Sequence, residues 1–216
     1  MRRTARWIAA AGIGVAMSAC TGSLLETDLP PSAIYVIAPA PAPPLQGAAL
    51  PVDLSIGRPD VAPGLDTNRI AVLKGRRLDY YRTARWGGSM TEIVQTFLVE
   101  SLEDQRAFRS VTAEQARVAG DYVLDVEVRD FQAEYVSEDA APSVHVKMVG
   151  RLIRVVDREL AATVAAEASV PASDNRMHEV AAAFESAAHK VATELARQTA
   201  NAVAQDRSEE RVSTSR

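Results

Sequence analysis

Three runs of alternating apolar and polar residues constrain the fold of this chain more than any other feature. They cover residues 122–129, 144–148 and 160–168, separated by a polar loop and a tight turn. Because successive side chains of a β-strand point to opposite faces of the sheet, such runs predict strands with one buried face. Short connections favour pairing between neighbours, so we expect an antiparallel meander with one apolar and one mixed face.

A long amphipathic helix is predicted near the C-terminus. Ser173, Asp174 or Asn175 can cap its first turn. Such a helix is covered either by its own sheet, which we favour, or by a partner whose groove it fills. Residues 206–216 hold one valine among charged and hydroxyl residues, which predicts a disordered tail. The apolar stripe of the helix consists of Met177, Val180, Ala181, Phe184, Ala188, Val191, Leu195, Ala202 and Val203.

The remaining elements are shorter. Ser89 and Glu92 form a capping box that predicts a helix start, and Thr112 with Gln115 predicts a brief helical turn. The first helix would bury Ile93, Val94, Phe97, Leu98 and Leu102. Strands are predicted at 34–37, 52–56, 69–73, 78–81 and 108–111, with a hairpin closed at 74–77. These elements predict an α+β fold: a two-layer sandwich, with a mainly antiparallel sheet and two principal helices packed on one face.

The N-terminus is typical of an exported protein. The chain begins with a basic segment that contains Arg2, Arg3 and Arg6. An apolar run follows at 7–17, and small residues precede Cys20. A membrane-spanning helix needs about 20 apolar residues, so this run is too short to span. Residues 1–19 are therefore predicted to be a signal peptide.

Cys20 is the only cysteine. An unpaired thiol has no structural use in an exported protein, and residues 17–20 resemble the bacterial lipobox, whose cysteine receives a diacylglyceryl group. This resemblance implies that acylated Cys20 anchors the protein in membrane lipid. Thr21 stands where lipoproteins kept at the inner membrane usually carry Asp, which favours the outer membrane, with the domain facing the periplasm. A chance cysteine behind an ordinary signal peptide is the alternative.

Proline distribution predicts the domain organisation. Nine of the 11 prolines precede Gly64, and proline-rich segments form stiff, extended connectors. We expect a lipidated N-terminus and tether at 20–33 and a single α+β domain at 34–205. That domain includes a proline-rich connector at 38–51.

The charge of the chain argues against nucleic acid as a partner. Removal of residues 1–19 takes away three arginines and leaves 21 basic against 28 acidic residues, a net charge of −7. Such a surface repels phosphate backbones, and the sequence shows no run of basic residues longer than Arg76-Arg77.

Motifs of catalysis are missing from the sequence. There is no G-x-x-x-x-G-K-[ST] phosphate loop and no G-x-S-x-G elbow, and the His178-Glu179 pair lacks the second zinc-ligating histidine at position 182. His145 and His189 stand alone. Asp125 and Glu127 share a strand face and could serve acid/base chemistry, but a solvated sheet face is favoured. We expect no enzyme activity, no cofactor and no metal.

Several short motifs resemble a known family. They are Leu65-Asp66-Thr67-Asn68-Arg69-Ile70, Leu78-Asp79-Tyr80-Tyr81 and Arg85-Trp86, the last just before the capped helix. In this order they resemble the auxiliary lipoprotein family of ABC-type transport systems, over residues 34–204. The candidate partner contacts are therefore Asp66, Arg69, Tyr80, Tyr81, Arg85 and Trp86. Trp86 is favoured as a core residue, with a binding role as the alternative.

The resemblance also implies a role. The protein would be a non-catalytic outer-membrane lipoprotein whose partners are a mammalian-cell-entry-domain protein, a permease and an ATPase. Such systems move lipids between the inner and outer membranes. Homo-oligomerisation stays open. The main alternative is a lipoprotein subunit of another envelope assembly or secretion machine, and an envelope enzyme is a third, less favoured reading.

Overall fold

Nine strands and two α-helices follow one another in the computed structural model, which describes residues 32–39, 48–116, 120–137 and 140–214. Cys20, the tether up to residue 31 and residues 40–47 of the connector lie outside the described residues. The helices are α1 (Met90–Asp104) and α2 (Met177–Thr214), and a single turn of 3-10 helix spans Glu114–Ala116. The strands are β1 (Ala33–Tyr35), β2 (Leu50–Ile56), β3 (Asp60–Val61), β4 (Arg69–Lys74), β5 (Arg77–Trp86), β6 (Phe108–Ala113), β7 (Tyr122–Tyr135), β8 (Ser143–Arg154) and β9 (Leu160–Pro171).

The predicted meander is present. Strand β7 pairs antiparallel with β8 from Tyr122 opposite Arg154 to Glu134 opposite Ser143, and β8 pairs antiparallel with β9. The apolar residues of β7 and β8 face the core, where Leu124, Val146 and Met148 are fully buried.

The other edge of β7 is parallel. Strands β2, β3 and β4 pair with it one after another, all running in its direction. Strand β6 is parallel to β2, and β1 to β5. The prediction of a mainly antiparallel sheet is therefore wrong: the sheet is mixed, with a largely parallel core.

The reason lies in residues 57–68, the segment between the predicted strands at 52–56 and 69–73. Here the chain continues along β7 instead of reversing: the backbone N–H of Gly57 donates to Leu124 O at 3.0 Å, and that of Ala62 donates to Val128 O at 2.9 Å. Pro59 and Pro63 cannot donate, so they interrupt the pairing without changing its direction. On this side of the sheet, β4 and β5 form the expected local hairpin, closed by Gly75 at φ 60°.

Helix α1 begins where the capping box predicts. The Ser89 Oγ accepts from Glu92 N at 3.4 Å, and Ser89 N donates to Glu92 Oε2 at 3.2 Å. These two bonds satisfy backbone groups that the first helical turn leaves free. The helix buries Val94, Phe97, Leu98 and Leu102, so its predicted apolar face is confirmed apart from Ile93, which is half-buried.

Helix α2 lies on its own sheet, mainly against β8 and β9. Val180, Phe184, Val191, Leu195 and Val203 of the predicted stripe are all buried. Small residues allow a close approach, and the Gln198 amide hydrogen-bonds both backbone groups of Ala165, at 2.9 and 3.0 Å. The favoured interpretation, in which the stripe is intramolecular core, is confirmed.

The prediction of disorder from residue 206 onward is wrong for residues 206–214, which continue helix α2. Asp206 accepts hydrogen bonds from the Tyr122 hydroxyl at 2.7 Å and from Arg154 Nε and Nη2 at 3.1 and 2.6 Å. Its side chain is only 10% exposed. The composition of this segment shows that it is charged, but it cannot show that Asp206 pairs with Arg154 of a distant strand.

Replacing Asp206 with Ala should lower the free energy of unfolding by about 2 kcal/mol, because Arg154 and Tyr122 lose a charged acceptor. The hydrogen bond from Arg154 lowers the pKa of Asp206 in the folded chain. This stabilisation is therefore present above the unfolded pKa of about 3.9 and is lost as the pH falls through the folded pKa.

Urea denaturation of the wild type and Asp206→Ala, from pH 7 downward, measures both effects. The difference between the two proteins should shrink below about pH 4. Glu209→Ala, at an exposed position of the same helix, is the control and should change stability by no more than about 0.5 kcal/mol. An equal loss in both variants would contradict the role given to the Asp206 pairing.

Candidate functional site

The six candidate residues are brought together on the β4–β5 hairpin and the loop before it. Four of them have accessible side chains, and we call this group the motif surface. The side chains of the remaining two candidates, Tyr81 and Trp86, point away from this surface. The motif surface consists of Asp66, Arg69, Tyr80 and Arg85.

Tyr80 fixes the loop to the hairpin. Its hydroxyl donates to Gly64 O at 2.8 Å, and the Arg69 guanidinium lies 3.8 Å from its ring centroid, in cation–π geometry. Gly64 has φ 86°, and a Cβ there would lie 2.7 Å from the Leu78 side chain. The loop conformation therefore depends on glycine at this position.

Asp66 connects the same loop to helix α1. Its Oδ1 accepts from Thr91 Oγ1 at 2.9 Å and from Thr91 N at 3.3 Å. A carboxylate at this end of a helix is stabilised by the free N–H groups and the helix dipole. The structure therefore assigns Asp66 a positioning role at the start of α1.

Arg69 and Arg85 are directly opposite each other on β4 and β5. Like charges in cross-strand positions repel, unless each finds its own partner. Arg69 lies over the Tyr80 ring, and within the described residues the Arg85 side chain makes only a long contact with Asn68, 3.5 Å from Nη1 to Oδ1. The pair thus presents two accessible positive charges side by side.

Trp86 belongs to the core. It is 2% exposed, and its ring meets Phe131 and Phe184 edge to face, with centroids 5.9 and 5.2 Å away. Its Nε1 has no hydrogen-bond partner within the described residues. The buried indole leaves nothing for a partner to contact, which agrees with the favoured core interpretation.

Tyr81 starts a chain of hydrogen bonds away from the motif surface. Its hydroxyl is 2.9 Å from that of Tyr135, which donates to Asn175 Oδ1 at 2.6 Å. Since Tyr135 uses its proton on Asn175, Tyr81 donates to Tyr135. Burial is the main cause that raises the pKa of Tyr81 well above its usual range, so the phenol stays neutral.

Sequence reasoning missed the charge of the hairpin. Between Arg69 and Arg85 the chain has six basic residues and one acidic one, although its overall net charge is −4. A search for contiguous basic runs overlooked them because other residues separate them. Pairing of β4 with β5 places Lys74 opposite Arg77 and so gathers the charges. A count of charges over the predicted hairpin would have found the feature.

The side chains considered for catalysis or metal binding have other interactions. Glu127 accepts from Arg129 and Arg151, and the hydrogen bond from Arg129 is the first cause of its lowered pKa. His189 hydrogen-bonds Ala38 O at 2.8 Å and stacks on Phe97. Within the described residues, no three His, Cys, Asp or Glu side chains are arranged to hold a metal ion.

In the described part of the chain, neither helix has an apolar stretch long enough to traverse a bilayer.

The chain is an α+β domain with a mixed sheet, a capped helix after the Tyr-Tyr and Arg-Trp motifs and a long terminal helix. Residues 35–196 match the family described as the ABC-type transport auxiliary lipoprotein component. The match covers most of the chain, which therefore belongs to this family.

Solved structures share the fold. Protein XCC0632 from Xanthomonas campestris is 26% identical with a TM-score of 0.75, covering 82% of this chain and 99% of that one. An uncharacterized protein is 14% identical with a TM-score of 0.60, covering 79% and 99%. The hypothetical protein CT253 from Chlamydia trachomatis is 7% identical with a TM-score of 0.50, covering 71% and 98%. The last two show likeness of fold alone. A search of the curated proteins finds no match.

Truncation of the adjacent residues Trp86 and Arg85 should change the stability of the fold to very different extents. Trp86→Ala removes a large ring from the core and should lower the free energy of unfolding by about 3 to 5 kcal/mol. Arg85→Ala removes an exposed side chain and should change it by no more than about 0.5 kcal/mol.

Urea denaturation followed by far-ultraviolet circular dichroism measures both values without depending on tryptophan fluorescence. A loss below 1 kcal/mol for Trp86→Ala would contradict its place in the aromatic cluster, and a large loss for Arg85→Ala would make that residue structural instead of a surface group.

Proposed function

We propose that this protein is the outer-membrane lipoprotein of an ABC-type lipid transport system that contains a mammalian-cell-entry-domain protein, a permease and a cytoplasmic ATPase. The observation that carries the proposal is membership of the auxiliary lipoprotein family over residues 35–196. In this role the protein carries out no chemistry. It holds the periplasmic part of the transporter close to the outer leaflet it serves.

An anchor and a tether support this role. Acylated Cys20 would provide the anchor, since several acyl chains make membrane attachment effectively permanent. The segment from Cys20 to Ser32 can extend to about 40 Å. The folded domain could therefore reach a partner at some distance from the membrane surface while remaining attached.

The motif surface supports the contact with a partner. Arg69 and Arg85 are exposed, adjacent and without a carboxylate partner within the described residues. Desolvated arginine pairs with a partner's carboxylates are among the strongest contacts at protein interfaces. We therefore propose that Arg69 and Arg85 face an acidic patch on the mammalian-cell-entry protein, with Asp66 and Tyr80 holding the surface in shape.

Acylation should depend on Cys20 alone. Cells given labelled palmitate should incorporate it into the wild-type protein but not into Cys20→Ala, because no other cysteine is present to take the lipid. Equal labelling of the two proteins would exclude the lipid anchor and leave an ordinary exported protein.

Partner capture should depend on the motif surface. In crosslinked cells the wild-type lipoprotein should recover the mammalian-cell-entry protein, the permease and the ATPase. Arg85→Glu should reduce this recovery at least tenfold, because it places a negative charge against an acidic patch. Immunoblotting of the recovered complex measures the effect.

Arg58→Glu is the matched control, since it makes the same charge change at an exposed position outside the hairpin. It should leave recovery within about twofold of the wild type. If the wild-type protein recovers none of the three components while they are expressed, the transporter assignment is wrong, and a role in another envelope assembly remains.

A further inference from the structure

A cavity of about 440 Å³ lies beside the closed end of the β4–β5 hairpin, and Tyr80 is the member of the motif surface that contributes to its wall. Three basic side chains and three tyrosines contribute to its wall. We propose that this cavity binds a phosphate group, carried either by a lipid headgroup or by a small soluble phosphate ester. The residues that carry the argument are Lys74, Arg77, Arg82, Tyr81, Tyr135 and Asn175.

The wall is positively charged in an acidic chain. Among the described residues that line the cavity, Lys74, Arg77 and Arg82 are basic, and Asp79 is the one carboxylate. Asp79 already accepts from Tyr80 N at 2.9 Å and lies 3.8 Å from Arg77 Nη2. The described residues of the wall therefore have a formal net charge of +2, whereas the chain as a whole has −4.

The two arginines are available to a ligand. Arg77 is 70% exposed at its side chain, and its contact with Asp79 is long. Arg82 makes no hydrogen bond or ion pair within the described residues. Guanidinium groups bind phosphate oxygens through two parallel N–H donors, and such charge-assisted bonds are about twice as strong as neutral ones.

The tyrosine side of the cavity is neutral and held in place. Tyr81, Tyr135 and Asn175 form the hydrogen-bonded chain described above, which joins β5, β7 and the segment before α2. Burial raises the pKa of the Tyr81 phenol well above its usual range, so this group adds no charge that would repel an anion. The chain also fixes the shape of the cavity before a ligand arrives, which reduces the entropic cost of binding.

The volume argues for an organic phosphate over a bare ion. Sites for small organic ligands enclose about 300 to 1,000 Å³, and this cavity lies within that range. A glycerophosphate group would place its phosphate between the arginines and its hydroxyl-bearing part against the tyrosine side. The proposal is independent of the transporter assignment, because binding can be measured on this chain alone.

The test uses the full chain in a neutral maltoside detergent. Isothermal titration with monomeric dihexanoyl phosphatidylglycerol, with sn-glycerol 3-phosphate and with dihexanoylglycerol, which lacks the phosphate, gives three affinities. We expect both phosphate-bearing probes to bind and dihexanoylglycerol not to bind. A lipid affinity at least tenfold above that of sn-glycerol 3-phosphate identifies the headgroup as the source, and similar affinities identify a soluble ester.

Two matched double variants decide whether the cavity is responsible. Arg77→Ala with Arg82→Ala should weaken binding of the phosphate probes at least tenfold. Arg58→Ala with Arg76→Ala removes the same charge outside the cavity wall and should stay within about twofold of the wild type. Circular dichroism confirms that both remain folded. Equal weakening in the two variants, or no binding of either phosphate probe at millimolar concentration, would overturn the proposal.

Discussion

The backbone of strand β7 needs hydrogen-bond partners along both of its edges, and the rest of the fold is arranged to supply them. A buried N–H or C=O without a partner is costly, so a strand of 14 residues in the middle of a sheet cannot leave an edge open. Strand β8 pairs with one edge over nearly its whole length. The other edge of β7 pairs with β2, β3 and β4 in turn. The loop between β3 and β4 leaves the sheet. That loop carries Asp66, so the motif surface exists because the pairing is interrupted there.

The aromatic cluster then determines which way the motif residues face. Trp86, Phe131 and Phe184 come from β5, β7 and α2, three segments far apart in sequence, and their rings pack within 6 Å of one another. Because Trp86 points into this cluster, its neighbour Arg85 points to solvent, as successive residues of a strand must. Because Trp86 is held in the core, Ser89, three residues later, is placed where α1 begins. A single buried ring thus orients both the exposed arginine and the capped helix.

Local signals in the sequence were sufficient for the elements but not for their arrangement. The Ser89 and Glu92 capping box, the Gly75 hairpin and the meander each depend on residues close together in the chain, and all three are present. The direction of β2 against β7 depends on pairing across about 70 residues, and alternation of side chains records only which face is buried. The basic wall at Lys74, Arg77 and Arg82 depends on strand register in the same way. The sequence motifs identified the positions of the candidate site. Which of those residues are buried and which are accessible could be seen only in the folded structure.

The distribution of ion pairs explains why the hairpin is electrostatically distinct. Elsewhere, arginines lie against carboxylates, as Arg154 does with Asp206 and Arg197 with Glu194, so their fields cancel at short range. The hairpin has one carboxylate for six basic groups, and within the described residues Arg69 and Arg85 have no carboxylate partner. At physiological salt, exposed charges are screened beyond about 8 Å. Arg77 and Arg85 stand at opposite ends of β5, roughly 25 Å apart at the usual rise per residue. Arg77 and Arg85 therefore act as separate charges, and an anion bound beside Arg77 does not neutralise Arg85.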